Sequence, residues 1–276
     1  MMCDGGAARE SPVNLLCYQM DLLHGSSAFA SAFAAGVINS VAGGGTLLTF
    51  PTLVWLGLDS VSANATSTLA IWPGSLGGMA GYRKELATAD RRMLALIAPS
   101  LIGGICGALL LRFTPPLTFD ALVPFLILFA TILFMVQETV QRMFKTGEAR
   151  HESARWLAGA VLFQFFVSLY GGYFGAGIGI LMLAALSILG LTDIHQMNGL
   201  KNFFALCING VAALYFMFEH MVQWPYVLIM AAGAIAGGYG GAGMARRIGR
   251  TAVRRLVVGI GFAMSASLFV KWLMKR

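Results

Sequence analysis

Residues 36–46 read Gly36-Val-Ile-Asn-Ser-Val-Ala-Gly43-Gly44-Gly45-Thr46 and interrupt a long apolar run in the first half of the chain. A second glycine cluster, Gly171-Gly172-Tyr-Phe-Gly175-Ala-Gly177-Ile-Gly179, interrupts an apolar run in the second half. Glycine is the poorest helix former after proline, so each run is predicted to contain a broken helix. Broken helices at corresponding positions of two halves are typical of the binding site of a membrane transporter.

The composition is that of an integral membrane protein. Of the 276 residues, 58% are hydrophobic and only 11% are charged, and the mean hydropathy is +0.75. No Asp, Glu, Lys or Arg occurs in residues 93–111, 121–137, 156–192, 221–245 or 256–270. A membrane-spanning helix needs about 20 apolar residues, and these runs lack the alternation of a half-buried strand. The sequence therefore predicts an all-α fold, a polytopic helical bundle in a lipid bilayer.

The net charge of +7 does not indicate a nucleic-acid-binding protein, because the positive residues lie in short loops between apolar runs. In such loops, positive charge sets the orientation of the helices in the membrane. The four cysteines, Cys3, Cys17, Cys106 and Cys207, have no CxxC spacing and predict neither a metal site nor a disulfide framework. No cofactor is expected.

The second half of the chain repeats the first. At an offset of 134 residues the following positions align: Asn64 with Asn198, Ser67 with Lys201, the glycine pair 103–104 with the pair 237–238, and Arg112 with Arg246. Because one offset holds across about 50 residues, the chain is predicted to be an internal duplication.

The length of the uncharged segment 156–192 indicates how each half is folded. A straight helix of these 37 residues would be about 55 Å long, whereas the hydrocarbon layer is about 30 Å thick. The segment is therefore predicted to double back at Gly175–Gly179. The corresponding segment of the first half, 28–57, is predicted to double back at Gly43–Gly45.

Each half then contains a re-entrant hairpin followed by three membrane-spanning helices. The predicted spans are 60–82, 93–113 and 119–138, and then 194–217, 224–246 and 252–272. Three crossings per half, an odd number, make the halves inverted repeats. The predicted organisation is an N-terminal tail (1–27), a first membrane repeat (28–140), a basic cytoplasmic linker (141–155) and a second membrane repeat (156–276). This topology puts 13 loop positives on one side and five on the other, which slightly favours inversion.

The two breaks predict an anion site. The second limb of each hairpin, Thr46–Leu58 or Ile180–Leu191, is about 18 Å long by the helical rise, so its N-terminus lies near mid-membrane. Free N–H groups and the positive end of the helix dipole point there. Two such ends facing each other favour a bound anion. Close packing of helices is the alternative role for these glycines.

The candidate substrate-binding residues come from the breaks and from the helix that follows each break. They are Asn39, Ser40, Gly43, Gly44, Gly45 and Thr46 at the first break, Gly175, Gly177 and Gly179 at the second, and Asn64, Thr66, Ser67, Asn198, Lys201 and Asn202 on the following helices. The polar side chains among them would serve equally well as contacts between helices. Asp59 and Asp193, just before those helices, are predicted N-caps.

Lys201 is the one Lys or Arg in the interior of a predicted span rather than near its end, and no Asp or Glu lies in any predicted membrane interior. Ionisable residues inside the membrane are functional candidates. The alternative for Lys201 is that its side chain snorkels to the interface. Without a buried carboxylate, a carboxylate proton relay is not expected.

This set of residues resembles the TauE/SafE family of sulfite exporters. The resemblance covers nearly all of residues 28–272. It rests on Gly36 with Ala42-Gly43-Gly44-Gly45, on Asn64-Ala-Thr66-Ser67, and on the second glycine cluster with Asn198-Gly199. It implies export of sulfite, sulfoacetate, a related organosulfur compound or another small anion across the bacterial inner membrane. The second half departs from the Thr-Ser pattern, with Leu200-Lys201 at the positions of Thr66-Ser67.

An enzyme is not expected, because the histidines lie in tails, loops or helix ends and form no HExxH motif. A passive anion channel and an accessory subunit of a larger complex are the alternatives that stay open. The sequence also leaves open the identity of the anion, the direction and energy coupling of transport, and the oligomeric state, including a homodimer.

Overall fold

The computed structural model describes residues 22–41, 44–81, 91–145, 154–189, 191, 193–248 and 250–274. This part of the chain is helical and contains no β-strand. Its ten α-helices are α1 (Leu22–Val41), α2 (Thr46–Trp55), α3 (Ser60–Gly81), α4 (Ile97–Phe113), α5 (Pro116–Lys145), α6 (Ala154–Tyr173), α7 (Ile178–Ile188), α8 (Ile194–Phe218), α9 (Trp224–Ile248) and α10 (Arg250–Met274). A 3₁₀ turn at Arg91–Leu96 leads into α4. The predicted all-α bundle is confirmed.

Both glycine clusters break a helix, as the sequence predicts. The first break separates α1 from α2, and the second separates α6 from α7. Gly44, Gly175 and Gly177 have φ angles of 105°, 75° and 74°, a region that residues with side chains rarely adopt. Helices α2 and α7 have only 10 and 11 residues, which is about half of the length needed to cross the hydrocarbon layer.

The short helices end earlier than predicted. Helix α2 stops before Leu58, because Gly57 takes a φ of 95° and the N–H of Leu58 donates to the carbonyl of Leu53 at 3.1 Å. The N–H of Leu191 makes the same bond to the carbonyl of Leu186 after α7, at 3.2 Å. Bonds of this kind close the C-terminus of a helix, so a tight turn leads from each short helix into the next long one.

Three stretches of helix in the described residues are long and apolar enough to cross a membrane: Met93–Phe113, Pro116–Val136 and Gln196–Phe218. They correspond to the predicted spans 93–113, 119–138 and 194–217. The other three predicted spans are helical, as α3, α9 and α10, and their crossing of the membrane stays a prediction. Helix α1 begins within the predicted tail, and α5 continues into the predicted linker.

The two halves make equivalent contacts with each other. Helix α1 of the first half packs extensively on α9 of the second, and α4 of the first half packs on α6 of the second. A Cβ on Gly104 would lie 3.1 Å from the carbonyl oxygen of Ile208, and one on Gly238 would lie 3.9 Å from that of Gly74. Gly104 and Gly238 are 134 positions apart, and so are Gly74 and Ile208. The two contacts are therefore equivalent under the sequence repeat. The inverted orientation and the repeat boundaries stay predictions.

Helices α3 and α8 meet at equivalent positions of the two halves. Nε1 of Trp72 on α3 donates to the carbonyl oxygen of Leu206 on α8 at 3.1 Å, and the same offset relates these two residues. The indole ring also lies against Gly210, where a Cβ would come within 3.0 Å of Nε1. The crossing of α3 and α8 is therefore fixed by the side chain of Trp72, which bonds to the residue that occupies the equivalent position in the second half.

The core of the bundle surrounds the two breaks. Phe50, Phe119, Phe134 and Phe174 are fully buried there, and the rings of Phe50 and Phe174 meet edge to face with centroids 5.3 Å apart. In contrast, α5 and α10 carry exposed large apolar side chains along their outer faces, as expected for helices that contact lipid.

Candidate functional site

The first break is held against the helix that precedes it. Oδ1 of Asn39, in the last turns of α1, accepts a hydrogen bond from the N–H of Gly45 at 2.8 Å. A Cβ on Gly45 would lie 2.8 Å from the carbonyl oxygen of Ala35, so only glycine allows this close return of the chain. Gly44 lies under the ring of Phe134 on α5, with a Cβ position 3.0 Å from Cε2. Asn39 therefore has a structural role as an acceptor for the break.

Three other candidates belong to the first break. Thr46 is buried in the first turn of α2. Ser40 lies in α1, but its side chain is outside the described part of the structure, and Gly43 is outside the described residues altogether.

The second break is held by Tyr170 of α6. Its hydroxyl donates to the carbonyl oxygen of Ala176 at 2.7 Å, and Ala130 of α5 packs against Gly177. The N–H of Ile180 donates to the carbonyl of Gly177 at 3.0 Å, whereas the N–H of Gly179 has no acceptor among the residues that the structure describes. The first turn of α7 thus offers a free donor, as helix N-termini do.

One turn of α5 contacts both breaks. Phe134 covers Gly44 at the first break, and Ala130 covers Gly177 at the second. These two α5 residues are four positions apart, which is about 6 Å along a helix. The two breaks are therefore neighbours in the bundle, although they lie in different halves of the chain.

A side-chain hydrogen bond of Asn64 connects α3, in the first half, to the second break. Its Nδ2 donates to the carbonyl oxygen of Tyr173 at 2.9 Å, and the residue is fully buried. Its Oδ1 is also buried and has no hydrogen-bond partner among the described residues. Because a carbonyl oxygen only accepts, the amide nitrogen must face Tyr173, and Oδ1 must point away from it.

Lys201 lies against the first turn of α7. Only 5% of the residue is exposed, and a Cβ on Gly179 would be 3.2 Å from Cδ of the lysine. Its ammonium group makes no hydrogen bond or ion pair with any described residue. A snorkelling lysine would reach the surface of the protein, so this burial favours a role inside the bundle.

The first half has hydroxyl groups where the second has the lysine. Oγ of Ser67, the counterpart of Lys201, lies 2.6 Å from Oγ1 of Thr49 on α2 in a buried hydrogen bond. Each of the two equivalent residues therefore contacts the short helix of its own half. The contact is neutral in the first half and positively charged in the second.

The remaining candidates on the long helices have no described contact with a break. Oγ1 of Thr66 accepts the N–H of Gln223 at 3.0 Å, next to α9. Asn198 and Asn202 are half-buried on α8, and no described contact places Asn202 at a break. Oδ1 of Asp59 accepts the N–H of Ser62 at 2.9 Å, so the predicted N-cap of α3 is confirmed.

Sequence reasoning missed two polar residues at the breaks. Thr49 partners Ser67, and Oδ1 of Asn209 lies 3.8 Å from the Cβ position of Gly175. Asn209 is eight residues after Lys201, which places it near the same face of α8. That spacing is the sequence feature that could have identified Asn209 as a candidate. Among the described residues, no three His, Cys, Asp or Glu side chains form a metal-binding group.

Comparisons with known proteins agree with this architecture. The sequence pattern of the sulfite exporter TauE/SafE family matches residues 28–268. The chain is 28% identical over 242 residues to a probable membrane transporter protein of Haemophilus influenzae, covering 87% of this chain and 92% of that protein. It is 27% identical over 243 residues to the probable membrane transporter protein YfcA of Escherichia coli strain K12, covering 87% of each chain.

A more distant relative is the probable membrane transporter protein ORF9 of a Sinorhizobium species, 24% identical over 241 residues, with 87% of this chain and 90% of that protein covered. No solved structure matches the chain. The family match covers most of the chain, and the apolar helices fit a multi-pass membrane protein. The chain therefore belongs to the TauE/SafE sulfite exporter family, which consists of membrane transporters rather than enzymes.

Proposed function

We propose that this transporter exports a small organic or inorganic sulfur anion, such as sulfite or sulfoacetate, across a bacterial inner membrane. In this proposal the anion binds between the two breaks, near the middle of the membrane. The observation that carries it is Lys201, a buried lysine with no anionic partner among the described residues. The sulfur anion and the export direction are taken from the family name, and the inner membrane is proposed because the relatives are probable membrane transporters of bacteria.

The charge of Lys201 is the physical reason to expect an anion. Burying an ammonium group without a partner costs several kcal/mol, of the order of the effective penalty for a buried ion. The free N–H of Gly179 lies beside the same side chain and adds the positive end of the α7 dipole. Both groups favour the same kind of ligand, and a small oxyanion would satisfy both at once.

Replacing Lys201 with methionine tests the proposal. We expect binding of sulfite or sulfoacetate to the purified full chain to weaken by about 10- to 100-fold, the value of a hydrogen bond to a charged group. The thermal unfolding temperature of the Lys201→Met protein should stay the same or rise, because an unpaired buried charge is removed. A loss of binding would then not be a loss of fold.

Arg112→Gln is the matched control for charge. Arg112 is half-exposed and pairs with Glu219 at 2.9 Å at the end of α4, so its replacement removes one positive charge from an exposed ion pair rather than from a buried side chain. This control should bind the anion like the unmodified chain. If Lys201→Met also binds with unchanged affinity, Lys201 is not an anion ligand and the proposed site is wrong.

Flux through proteoliposomes separates a carrier from the alternatives. A carrier should give a transport rate that saturates with anion concentration, whereas a passive channel should not saturate over the same range. The absence of any flux from the purified chain would instead indicate an accessory subunit of a larger complex.

A further inference from the structure

We infer that the transported anion also carries a hydrogen-bond donor, which it gives to Oδ1 of Asn64. This inference rests on the proposed function and concerns the selectivity of the same site. It is carried by a buried acceptor at the second break that no described group satisfies.

The orientation of Asn64 is fixed by the protein itself. Nδ2 donates to the carbonyl oxygen of Tyr173 at 2.9 Å, and a carbonyl oxygen has no hydrogen to give in return. The side-chain amide therefore cannot be flipped without losing that bond. Oδ1 stays turned towards the interior as an acceptor, in a residue with no exposed surface.

The neighbouring donors are directed elsewhere. The hydroxyl of Thr68, one turn along α3, donates to the backbone carbonyl of Asn64 at 2.9 Å. The hydroxyl of Thr49 donates to the carbonyl of Gly45 at 3.3 Å, which leaves the hydroxyl of Ser67 to donate to Thr49. Lys201 donates to no described residue, Asn64 included. Leaving a buried acceptor without a donor is costly, so a bound species is expected to supply the missing hydrogen.

The second break therefore presents two kinds of group to a ligand. Lys201 and the N–H of Gly179 are donors that favour negative charge, and Asn64 is a neutral acceptor. All three touch the same segment, since Asn64 bonds to the residue before the break and Lys201 packs on the residue after it. The complementary ligand has an anionic group at one end and an O–H or N–H at the other.

This pattern divides the small sulfur anions into two groups. A protonated oxyanion and a sulfonate with a hydroxyl or amino group have both features. Fully ionised sulfoacetate, with a sulfonate and a carboxylate group, and the simple alkyl sulfonates have acceptors only, so this inference narrows the sulfur anions of the proposed function to those that carry a donor. A site that needs a donor rejects a ligand that lacks it, because its own polar atom is then left unpaired.

The test compares 2-hydroxyethanesulfonate with ethanesulfonate, which have the same charge and differ by one hydroxyl, and uses 1-propanesulfonate as a control for size. Binding to the purified full chain in detergent is measured by calorimetry. We expect the hydroxylated anion to bind about tenfold more tightly than either alkyl sulfonate, the value of one hydrogen bond to an otherwise unpaired acceptor.

Asn64→Leu should abolish this preference and keep weak binding of all three anions through Lys201. Thr68→Val is the matched control, because it removes a local hydrogen bond on the same helix and should leave the preference intact. If Asn64→Leu fails to fold, as judged by thermal unfolding, the ratio of affinities in the unmodified chain and in Thr68→Val still decides.

Equal affinity for the three sulfonates in the unmodified chain would overturn the inference, since water or another group would then satisfy Asn64. That result would leave the proposed anion site standing, provided that Lys201→Met weakens all three equally. If the unmodified chain binds none of the three, and Lys201→Met changes no anion binding, both the inference and the proposed function fail.

Discussion

Gly179 leaves the space that the aliphatic chain of Lys201 occupies, since a Cβ at position 179 would lie 3.2 Å from Cδ of the lysine. A methyl group there would push the lysine aside by a few tenths of an ångström and misdirect its ammonium group. We expect Gly179→Ala to fold normally and to bind the anion about three- to tenfold more weakly, a loss within the range of one hydrogen bond. Calorimetry on the purified chain measures it.

Gly159→Ala is the control for this change. Gly159 lies on α6 with no atom within 4 Å of its Cβ position, so an added methyl group meets nothing. Equal affinities for Gly179→Ala and Gly159→Ala would show that the position of Lys201 does not matter for binding.

Asn39→Ala should loosen the first break. The substitution leaves the N–H of Gly45 without its acceptor, which costs about 1–3 kcal/mol when the donor is buried. We expect a lower thermal unfolding temperature in detergent and partial rescue by Asn39→Asp, which keeps an acceptor oxygen. Ser31→Ala, on the same helix, removes only a local bond to the carbonyl of Ala28. Matching unfolding temperatures for Asn39→Ala and Ser31→Ala would contradict the capping role.

Gly172→Ala should disrupt the contact between α4 and α6. A Cβ on Gly172 would overlap the carbonyl oxygen of Gly104, and a backbone atom cannot move aside as a side chain can. We expect a loss of more than about 3 kcal/mol or failure to fold, measured as the monodisperse fraction after purification and as thermal stability.

A glycine-to-alanine substitution at a position with free space should have the opposite effect on stability. Gly259 on α10 has nothing within 4 Å of its Cβ position, and alanine is the better helix former by about 1 kcal/mol. Gly259→Ala should therefore unfold at the same temperature as the unmodified chain or higher. Equal effects of the two alanines would mean that α4 and α6 are not in backbone contact.

Thr49→Val and Ser67→Ala should show coupled effects on stability. Their hydroxyls lie 2.6 Å apart in a buried contact between α2 and α3. Thr49→Val leaves the Ser67 hydroxyl without this partner, whereas after Ser67→Ala the Thr49 hydroxyl keeps only its longer bond to the carbonyl of Gly45, at 3.3 Å. A double-mutant cycle on thermal stability should give a coupling energy of about 0.5–1.5 kcal/mol. Replacing Thr49 together with the distant Ser31 should instead give additive effects, and additivity within the Thr49–Ser67 pair would refute the bond.

Local sequence was sufficient for the breaks and for the burial of Lys201. Three consecutive glycines weaken any helix, and a lysine surrounded by apolar residues has few routes to water. The C-terminal bounds of the short helices were wrong, because apolar residues continue past the point where Gly57 takes its positive φ. Hydropathy therefore does not predict where a helix ends within an apolar run.

The partners of the polar side chains were beyond the reach of the sequence. Asn64 binds the carbonyl of Tyr173, 109 positions away, and every residue has a carbonyl oxygen, so no residue type marks that contact. Thr49 was missed for a similar reason. A threonine within an apolar helix usually bonds to the preceding turn, and only the packing of α2 on α3 brings it to Ser67.

The backbone contacts between halves set the order in which the protein can be assembled during synthesis. Gly104 and Gly172 bring α4 and α6 together soon after both have been made, whereas Gly36 on α1 has to wait for Ala234 on α9. Until the last quarter of the chain has been inserted, the small-residue face of α1 lacks its packing partner, α9. A nascent or truncated transporter that ends before α9 would therefore carry a first helix that lacks its most extensive packing partner.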